Sequence, residues 1–182
     1  MDEEIQWMLD AKSGDSASFE KIIDRYQKPF YNFFYRFLGN ASSAEDATQT
    51  LFLQIYSALP RYKPTANLRT YLYRSAKNLA INLSRRNTFL SFFSLDDSEN
   101  PINISDSPDK RPEKILENME TVQQVQEALQ SLPSRQRIAI IYQYFEDCSV
   151  TEIGDRMEIS TPAVESLLFR ARTTLKEKLS QI

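Results

Sequence analysis

Apolar residues recur three and four positions apart through most of this chain, and nowhere does an alternation of period two persist. Side chains return to one helix face after ~3.6 residues and to one strand face after every second residue, so this spacing restricts the chain to an all-α fold. The stops between the runs divide it further. A first helix is predicted from Ser16 to Leu38. It is dense in aromatic residues (Phe19, Tyr26, Phe30, Tyr31, Phe33, Phe34, Tyr35, Phe37) that read as core. Gly39 follows as a left-handed cap, and Pro29, which has no N–H to give the preceding turn, is expected to kink or divide the helix. A second helix is predicted from Ser43, with Asp46 as its capping-box partner and with Ala47, Leu51, Phe52, Ile55, Tyr56 and Leu59 along it. After a loop holding Pro60 and Pro64, Asn67 is suited to cap a third helix over 68–86.

Residues 87–112 read as a linker. From Ser94 to Pro112 the chain carries three prolines and Asp96, Asp97, Glu99, Asp106 and Asp109, and it has too little apolar surface to order itself. The run FLSFF at 89–93 is the exception and is expected to dock on a folded surface. Helical spacing resumes at Glu113 with Ile115, Leu116, Met119, Val122, Val125 and Leu129, stops at Pro133, and returns over Ser134–Glu146. The expected architecture is two small helical domains, 1–93 and 113–182, joined by a flexible linker, 94–112.

The end of the chain is the most specific part. Ser149-Val150-Thr151-Glu152 has the form of a capping box opening a short helix that reaches Met157. Glu158-Ile159-Ser160 makes a turn, and Thr161 caps a second helix with Pro162 at a tolerated early position. That is the spacing of a helix-turn-helix. On the second helix Val164, Leu167, Leu168, Ala171, Leu175, Leu179 and Ile182 form an apolar stripe. Glu165, Ser166, Phe169, Arg170, Arg172, Thr173 and Lys176 point away from it. Phe169 has no packing reason to stand there unless a neighbouring domain covers it. Beside Arg170 it could touch a thymine methyl while the arginine reaches a guanine or a phosphate.

Charge points the same way. The net charge is −3, yet residues 61–86 carry seven basic residues and no acidic one. A wholly cationic block in an acidic protein marks a local anion-binding surface. On a helical wheel Leu68, Leu72, Ala76, Leu79, Ala80 and Leu83 form a core arc. Tyr71, Arg74, Lys77, Asn78, Ile81, Asn82 and Arg85 lie opposite. Cations attract phosphate, a tyrosine ring can stack an unpaired base and asparagine can bond its edge. A merely solvated face would ordinarily carry both charge signs.

Absences exclude much else. The 182 residues include no histidine, one cysteine (Cys148) and three widely separated glycines. The commonest general base, a cysteine metal cluster and a phosphate-cradling glycine loop are all missing, which leaves at most a carboxylate-only chemistry. No catalytic residue, metal or cofactor is assigned. No stretch approaches the ~20 apolar residues that span a bilayer, and the acidic start has no apolar signal core behind it. Membrane insertion is therefore not expected, and the expected compartment is the cytoplasm.

Three segments in this order, SAEDATQTLFLQIY (43–56), NLRTYLYRSAKNLAINLSRR (67–86) and LPSRQRIAIIYQYFEDCSVTEIGDRMEISTPAVESLLFRARTTLKEKL (132–179), resemble the extracytoplasmic-function group of bacterial RNA polymerase sigma factors. The resemblance covers roughly Phe19 to Leu179. It implies a non-enzymatic factor that binds core RNA polymerase, directs it to promoter DNA and assists melting. It implies that Asp46, Gln49, Phe52 and Tyr56 dock on the polymerase. Asn67, Arg69, Tyr71, Arg74, Lys77, Asn78, Asn82 and Arg85 would meet the melted strand near minus ten. Thr161, Glu165, Ser166, Phe169, Arg170 and Arg172 would read the duplex near minus thirty-five. It further implies an anti-sigma partner and a linker lying near the RNA path. Many relatives carry a basic residue in place of Glu165, arginine in place of Leu167, aspartate in place of Asn82 and tryptophan in place of Tyr71. These departures bear on the promoter sequence. Two other readings differ in kind. A helix-turn-helix regulator with an N-terminal sensor bundle would show a small-molecule pocket or self-dimerisation. A protein-interaction adaptor would bind no DNA.

Overall fold

The computed structural model describes residues 3–91 and 122–180, and all regular structure among them is helical. The expected linker, 94–112, and the first part of the helix expected from Glu113 lie outside the described residues. The helices are α1 (Glu3–Lys12), α2 (Ser16–Leu38), α3 (Ala41–Ala58), α4 (Leu68–Ser91), α5 (122–130), α6 (Ser134–Tyr144), α7 (Val150–Met157) and α8 (Thr161–Leu179), with a 3-10 turn at Leu59–Arg61 after α3.

The boundaries follow local chemistry. Asp15 caps α2 by accepting from the Ala17 N–H, and its carboxyl lies below the ordinary range because the Ser18 hydroxyl also donates to it. Gly39 ends α2 at φ 78°, its N–H donating to the Tyr35 carbonyl. Pro29 does not divide the helix, which runs unbroken through it; its ring forfeits one intrahelical bond while Ile22 and Tyr26 before it and Phe30, Phe33 and Phe34 after it are buried. The cap of α3 is Asn40 rather than Ser43. Its side chain accepts from the Ser43 N–H at 2.8 Å, so the helix starts earlier than the serine suggested. Asn67 caps α4 as expected, accepting from the Thr70 N–H at 2.7 Å, and that helix continues to Ser91, past Arg86. Helix α1 had no counterpart in the sequence reading. Met8 and Ala11 are buried in the core, and Ile5, Trp7 and Leu9 are partly buried against it.

The N-terminal unit packs α1, α3 and α4 around α2. Phe30 contacts Phe52 and Tyr73, and Phe33 meets Phe34 edge-on. Full burial of an aromatic or aliphatic side chain contributes roughly 1.5–3 kcal/mol, so this cluster dominates the stability of the unit. The C-terminal unit packs α6, α7 and α8 around Ile138, Ile141, Ile153, Val164, Leu168 and Ala171.

The two units share one core. Tyr142 on α6 is fully buried between Phe33 of α2, whose ring is stacked on it at 5.6 Å, and Tyr73 of α4, which meets it edge-on at 5.6 Å. Its hydroxyl donates to the Tyr73 carbonyl at 2.8 Å. The last carbonyls of α2, where the helix's own donors run out, are met from the other unit, Tyr35 in addition to its bond from Gly39. Gln126 donates to Tyr35 and Arg36, Gln130 to Arg36 and Phe37, and Arg137 to Phe37. Arg137 is itself half-buried, which pushes its guanidinium down to about 10, still charged at neutral pH.

Candidate nucleic-acid interface

The helix-turn-helix forms as its local sequence dictates. Ser149 accepts from the Glu152 N–H while the Glu152 carboxylate accepts from the Ser149 N–H at 2.9 Å, closing the capping box; the Ser149 hydroxyl, which donates to that carboxylate at 2.7 Å, and the Ser149 N–H together hold the carboxyl below its ordinary range. At the turn, Glu158 adopts φ 59°, a left-handed conformation usually given to glycine or asparagine. The N–H groups of Glu158 and Ile159 both donate to the Gly154 carbonyl. A β-carbon on Gly154 would stand 3.0 Å from the Ile159 carbonyl oxygen, so the bare backbone lets the turn close. The cap of α8 is Ser160, not Thr161. Thr161 is the first helical residue, and Ser160 makes no side-chain capping bond.

Helix α8 buries Val164, Leu168 and Ala171 and turns a continuous outer face to solvent. Thr161, Glu165, Ser166, Phe169, Arg170 and Arg172 are all exposed. Phe169 is 72 % exposed, so no neighbouring unit covers it. Arg172 is set apart from the others. It donates to the Gln143 side chain at 2.7 Å and to the Tyr144 hydroxyl at 3.1 Å, which turns it toward α6.

The face of α4 is different. Asn67, Asn78, Asn82 and Arg85 are exposed as expected. Tyr71 is half-buried edge-on against Tyr62 at 5.1 Å, and burial raises its hydroxyl pKa. The three cations nearest the C-terminal unit are engaged by it. Lys77 is only 6 % exposed, and its ammonium lies 2.7 Å from a Glu158 carboxylate oxygen. Arg74 donates through Nε to the Asp155 carbonyl at 2.8 Å. Arg69 lies 3.6 Å from the Glu146 carboxylate, which also accepts from the Tyr73 hydroxyl. The wheel placed Lys77 opposite the core, which is right for its own helix. It is buried because α7 and its turn lie over that face. Two residues of this contact escaped the sequence reading, Tyr73 and Arg156. Arg156 is 3 % exposed, with its guanidinium 4.1 Å from the centre of the Tyr73 ring.

The expected docking residues on α3 divide. Asp46, Gln49 and Tyr56 are exposed. Phe52 is a correction: it is 7 % exposed and packs edge-on against Phe30 at 6.0 Å, so it belongs to the core. The apolar residue facing outward beside it is Leu53, 68 % exposed, and nothing in the core-directed spacing of α3 requires an apolar side chain there. Among the described residues no group of three His, Cys, Asp or Glu side chains converges as a metal site, and no helix is long and apolar enough to cross a membrane.

Comparison with known proteins gives these faces a context. Residues 22–89 match the model of Sigma-70 region 2, and residues 122–175 match that of Sigma-70 region 4. The chain is 28 % identical over 175 residues to the ECF RNA polymerase sigma factor SigW of Bacillus subtilis, covering 94 % of each chain. It is 25 % identical over 175 residues to the ECF RNA polymerase sigma-E factor of Escherichia coli K12, covering 94 % of this chain and 91 % of that one. The solved structure of CnrH in complex with the cytosolic domain of CnrY has the same fold, with a TM-score of 0.69 at 21 % identity over 96 % of each chain. A region 2 unit followed by a region 4 unit defines a transcription initiation factor of the sigma-70 class. Within that class the chain belongs to the ECF family of RNA polymerase sigma factors. It is accordingly not an enzyme: it binds core RNA polymerase, directs it to specific promoters and assists their melting at initiation.

Proposed function

We propose that the two helical faces divide promoter recognition between them. The α4 face, from Asn67 through Arg69, Tyr71, Arg74, Lys77, Asn78 and Asn82 to Arg85, takes the melted strand near minus ten. The outer face of α8, with Thr161, Glu165, Ser166, Phe169 and Arg170, reads the duplex near minus thirty-five, and Arg172 orients α8 against α6 or reaches a flanking phosphate. The observation that carries this reading is that residues 61–86 hold seven cations and no carboxylate in the same chain as a helix-turn-helix. A duplex reader alone has no use for a second nucleic-acid face. Unstacking a base step costs a few kcal/mol, and stacking on an aromatic returns about 1–3 kcal/mol per base. Tyr71 beside Asn78 and Arg74 supplies that compensation.

Asp46, Gln49, Leu53 and Tyr56 form the polymerase-docking face, in which Leu53 and Tyr56 supply the exposed apolar surface and Phe52 supports them from the core. The functional division of the chain is 1–93, 94–112 and 113–182, and it works in the cytoplasm. A protein inhibitor of the anti-sigma kind is a fitting partner. CnrH, which shares the fold, was solved with the cytosolic domain of CnrY, and the sigma factor RpoE of Bartonella quintana, at a TM-score of 0.69, was solved with the anti-sigma factor NepR.

The test is promoter opening by reconstituted holoenzyme. Tyr71→Ala with Asn78→Ala should leave closed complexes intact and reduce permanganate reactivity of unpaired thymines on a linear template. A premelted template should restore part of it. Opening equal to the parent on the linear template would return α4 to a solvated cationic exterior.

A further inference from the structure

Helix α1 lies outside the residues that match region 2, which begin at 22, yet it reaches the start of the α4 face. Its last residue, Lys12, donates from Nζ to the Tyr62 carbonyl at 2.9 Å, a partner 50 residues away in the chain. The end of α1 is itself fixed. The Ser13 N–H donates to the Leu9 and Asp10 carbonyls and the Gly14 N–H to that of Ala11, with Gly14 at φ 105°. Met8 and Ala11 anchor the helix in the core, and α1 packs on the turn Leu59–Arg61. Tyr62 follows that turn. It is 3 % exposed, its N–H donates to the Leu59 carbonyl, and the backbone leaves helical geometry there at ψ 133°. Its ring meets the ring of Tyr71 edge-on at 5.1 Å. Beyond it Lys63, Pro64 and Thr65 are exposed, and the chain is fixed again at Asn67, which accepts from the Thr70 N–H.

A lysine at the end of a helix gives up rotamer freedom to hold one backbone carbonyl. What the bond secures here is position. A segment held at two ends moves as its ends move, and Tyr71 is half-buried with one side taken by Tyr62. A ring that receives a base loses less freedom on binding when a neighbour already fixes it. We propose that Lys12 is a positioning residue for the α4 face: it fixes the backbone at Tyr62, Tyr62 fixes the ring of Tyr71, and α1 thereby sets the surface on which an unpaired base is stacked. This rests on the reading of α4 given above. In this role Lys12 makes no contact with the strand. Its partner is a neutral carbonyl, so the competing role for its charge is a direct bond to phosphate.

Reconstituted holoenzyme tests this, with opening read as permanganate reactivity on a linear template. The chains compared are the parent, Lys12→Met, Lys12→Arg, Tyr71→Ala, and Lys12→Met combined with Tyr71→Ala. Lys12→Met keeps an unbranched stem and loses the donor, whereas Lys12→Arg keeps a cationic donor. Opening should fall roughly two- to tenfold in Lys12→Met and return to the parent level in Lys12→Arg. Adding Lys12→Met to Tyr71→Ala should lower it no further, because the residue through which Lys12 acts is gone. Thermal unfolding of the free chains supplies the structural readout: any loss of melting temperature from Lys12→Met should persist beside Tyr71→Ala, although the loss of opening does not. Binding of a premelted template over a range of salt should keep the parent's slope in Lys12→Met. Opening reduced by the same factor in both backgrounds overturns the proposal and leaves Lys12 a purely structural residue. A salt slope smaller by about one in Lys12→Met overturns it in favour of a phosphate contact. Parental opening in Lys12→Met beside a defective Tyr71→Ala overturns it too. Parental opening in Tyr71→Ala overturns the reading of α4 instead, and the role of Lys12 with it.

Discussion

The outer face of α8 and the polar face of α4 have similar chemistry, each combining cations, amides or hydroxyls and an aromatic ring, yet the closed chain treats them in opposite ways. Phe169 and Arg170 stand in solvent with nothing over them. Lys77 and Arg74 are bound by the chain's own α7 and turn. On the reading proposed above, the difference tracks what each face has to meet. A duplex is present before initiation begins, so a duplex reader can stay open. A separated strand exists only late, and a cationic, aromatic face left open in the meantime would attract any single strand or polyanion. On that reading, exposure in the free protein follows the order in which the ligands arrive.

The sharpest break in this comparison comes from the core that joins the two units. Tyr142→Ala should remove about 3–5 kcal/mol of stability, because a fully buried ring touching Phe33 and Tyr73 leaves a cavity that neither unit can fill. Thermal unfolding followed by the tryptophan, Trp7, should move down although Trp7 lies in the other unit. An unchanged Trp7 transition would mean that the units fold independently and that the contact over α4 is incidental. A smaller effect is expected on the open face. Arg170→Ala should cost about 1–3 kcal/mol of discrimination at one base pair if the arginine is bidentate to guanine. Phe169→Ala should weaken only sites with thymine opposite it. Both variants should melt like the parent, and a shift in melting temperature would show that these side chains carry structure as well as recognition.

Ser149→Ala tests the element common to both faces, since α7 supports α8 on one side and covers α4 on the other. Loss of a helix cap costs about 0.5–2 kcal/mol. Hydrogen exchange should speed up first in α7, with weaker duplex binding and a more reactive Lys77 together. Loosening of only one of these would separate the two roles of α7. The smallest effect is that of pH. The hydrogen bond from Lys77 holds the Glu158 carboxyl below its ordinary value of 4.5, with Lys77 and Arg74 facing it from α4. A depressed carboxyl contributes stability that is fully present above the unfolded value and is lost as pH falls through the folded one. Closure should therefore be constant from neutral pH down to about 5 and weaken below the ordinary glutamate value. Small-angle scattering of the parent and of Glu158→Gln, compared over that range, isolates the contribution of this one group from the other carboxylates.

The sequence reading succeeded where structure is local. The capping box at Ser149 and Glu152, the cap at Asn67 and the glycine stop at Gly39 each depend on a few adjacent residues, and all are found as expected. It went wrong where two candidates for one local role compete, as with Asn40 against Ser43 and Ser160 against Thr161. It went further astray where a second element decides. The wheel of α4 assigns Lys77 to the outside because it contains only α4, and no spacing within residues 67–86 reports that α7 will lie across it. Phe52 and Leu53 show the same limit in reverse. Leu51, Phe52 and Leu53 are three apolar residues in a row that sweep too wide an arc for all to be covered, and the packing of Phe52 against Phe30 settles that Leu53 is the one outside. Helix α1 was legible in principle, since Ile5, Met8 and Leu9 carry helical spacing, but its acidic start was read only for targeting.

The closure of the turn at Gly154 constrains how a protein like this can change over generations. With the Ile159 carbonyl only 3.0 Å from where a β-carbon would stand, and the N–H groups of Glu158 and Ile159 both tied to the Gly154 carbonyl, the angle between α7 and α8 has almost no freedom. With α8 reading the duplex as proposed, a lineage acquiring new promoters cannot re-aim it by small adjustments of the turn. It must exchange the side chains at the outward positions while the axis stays fixed. Diversification should then be confined to a handful of sites such as 165, 166, 169 and 170, each of which can vary without endangering the fold.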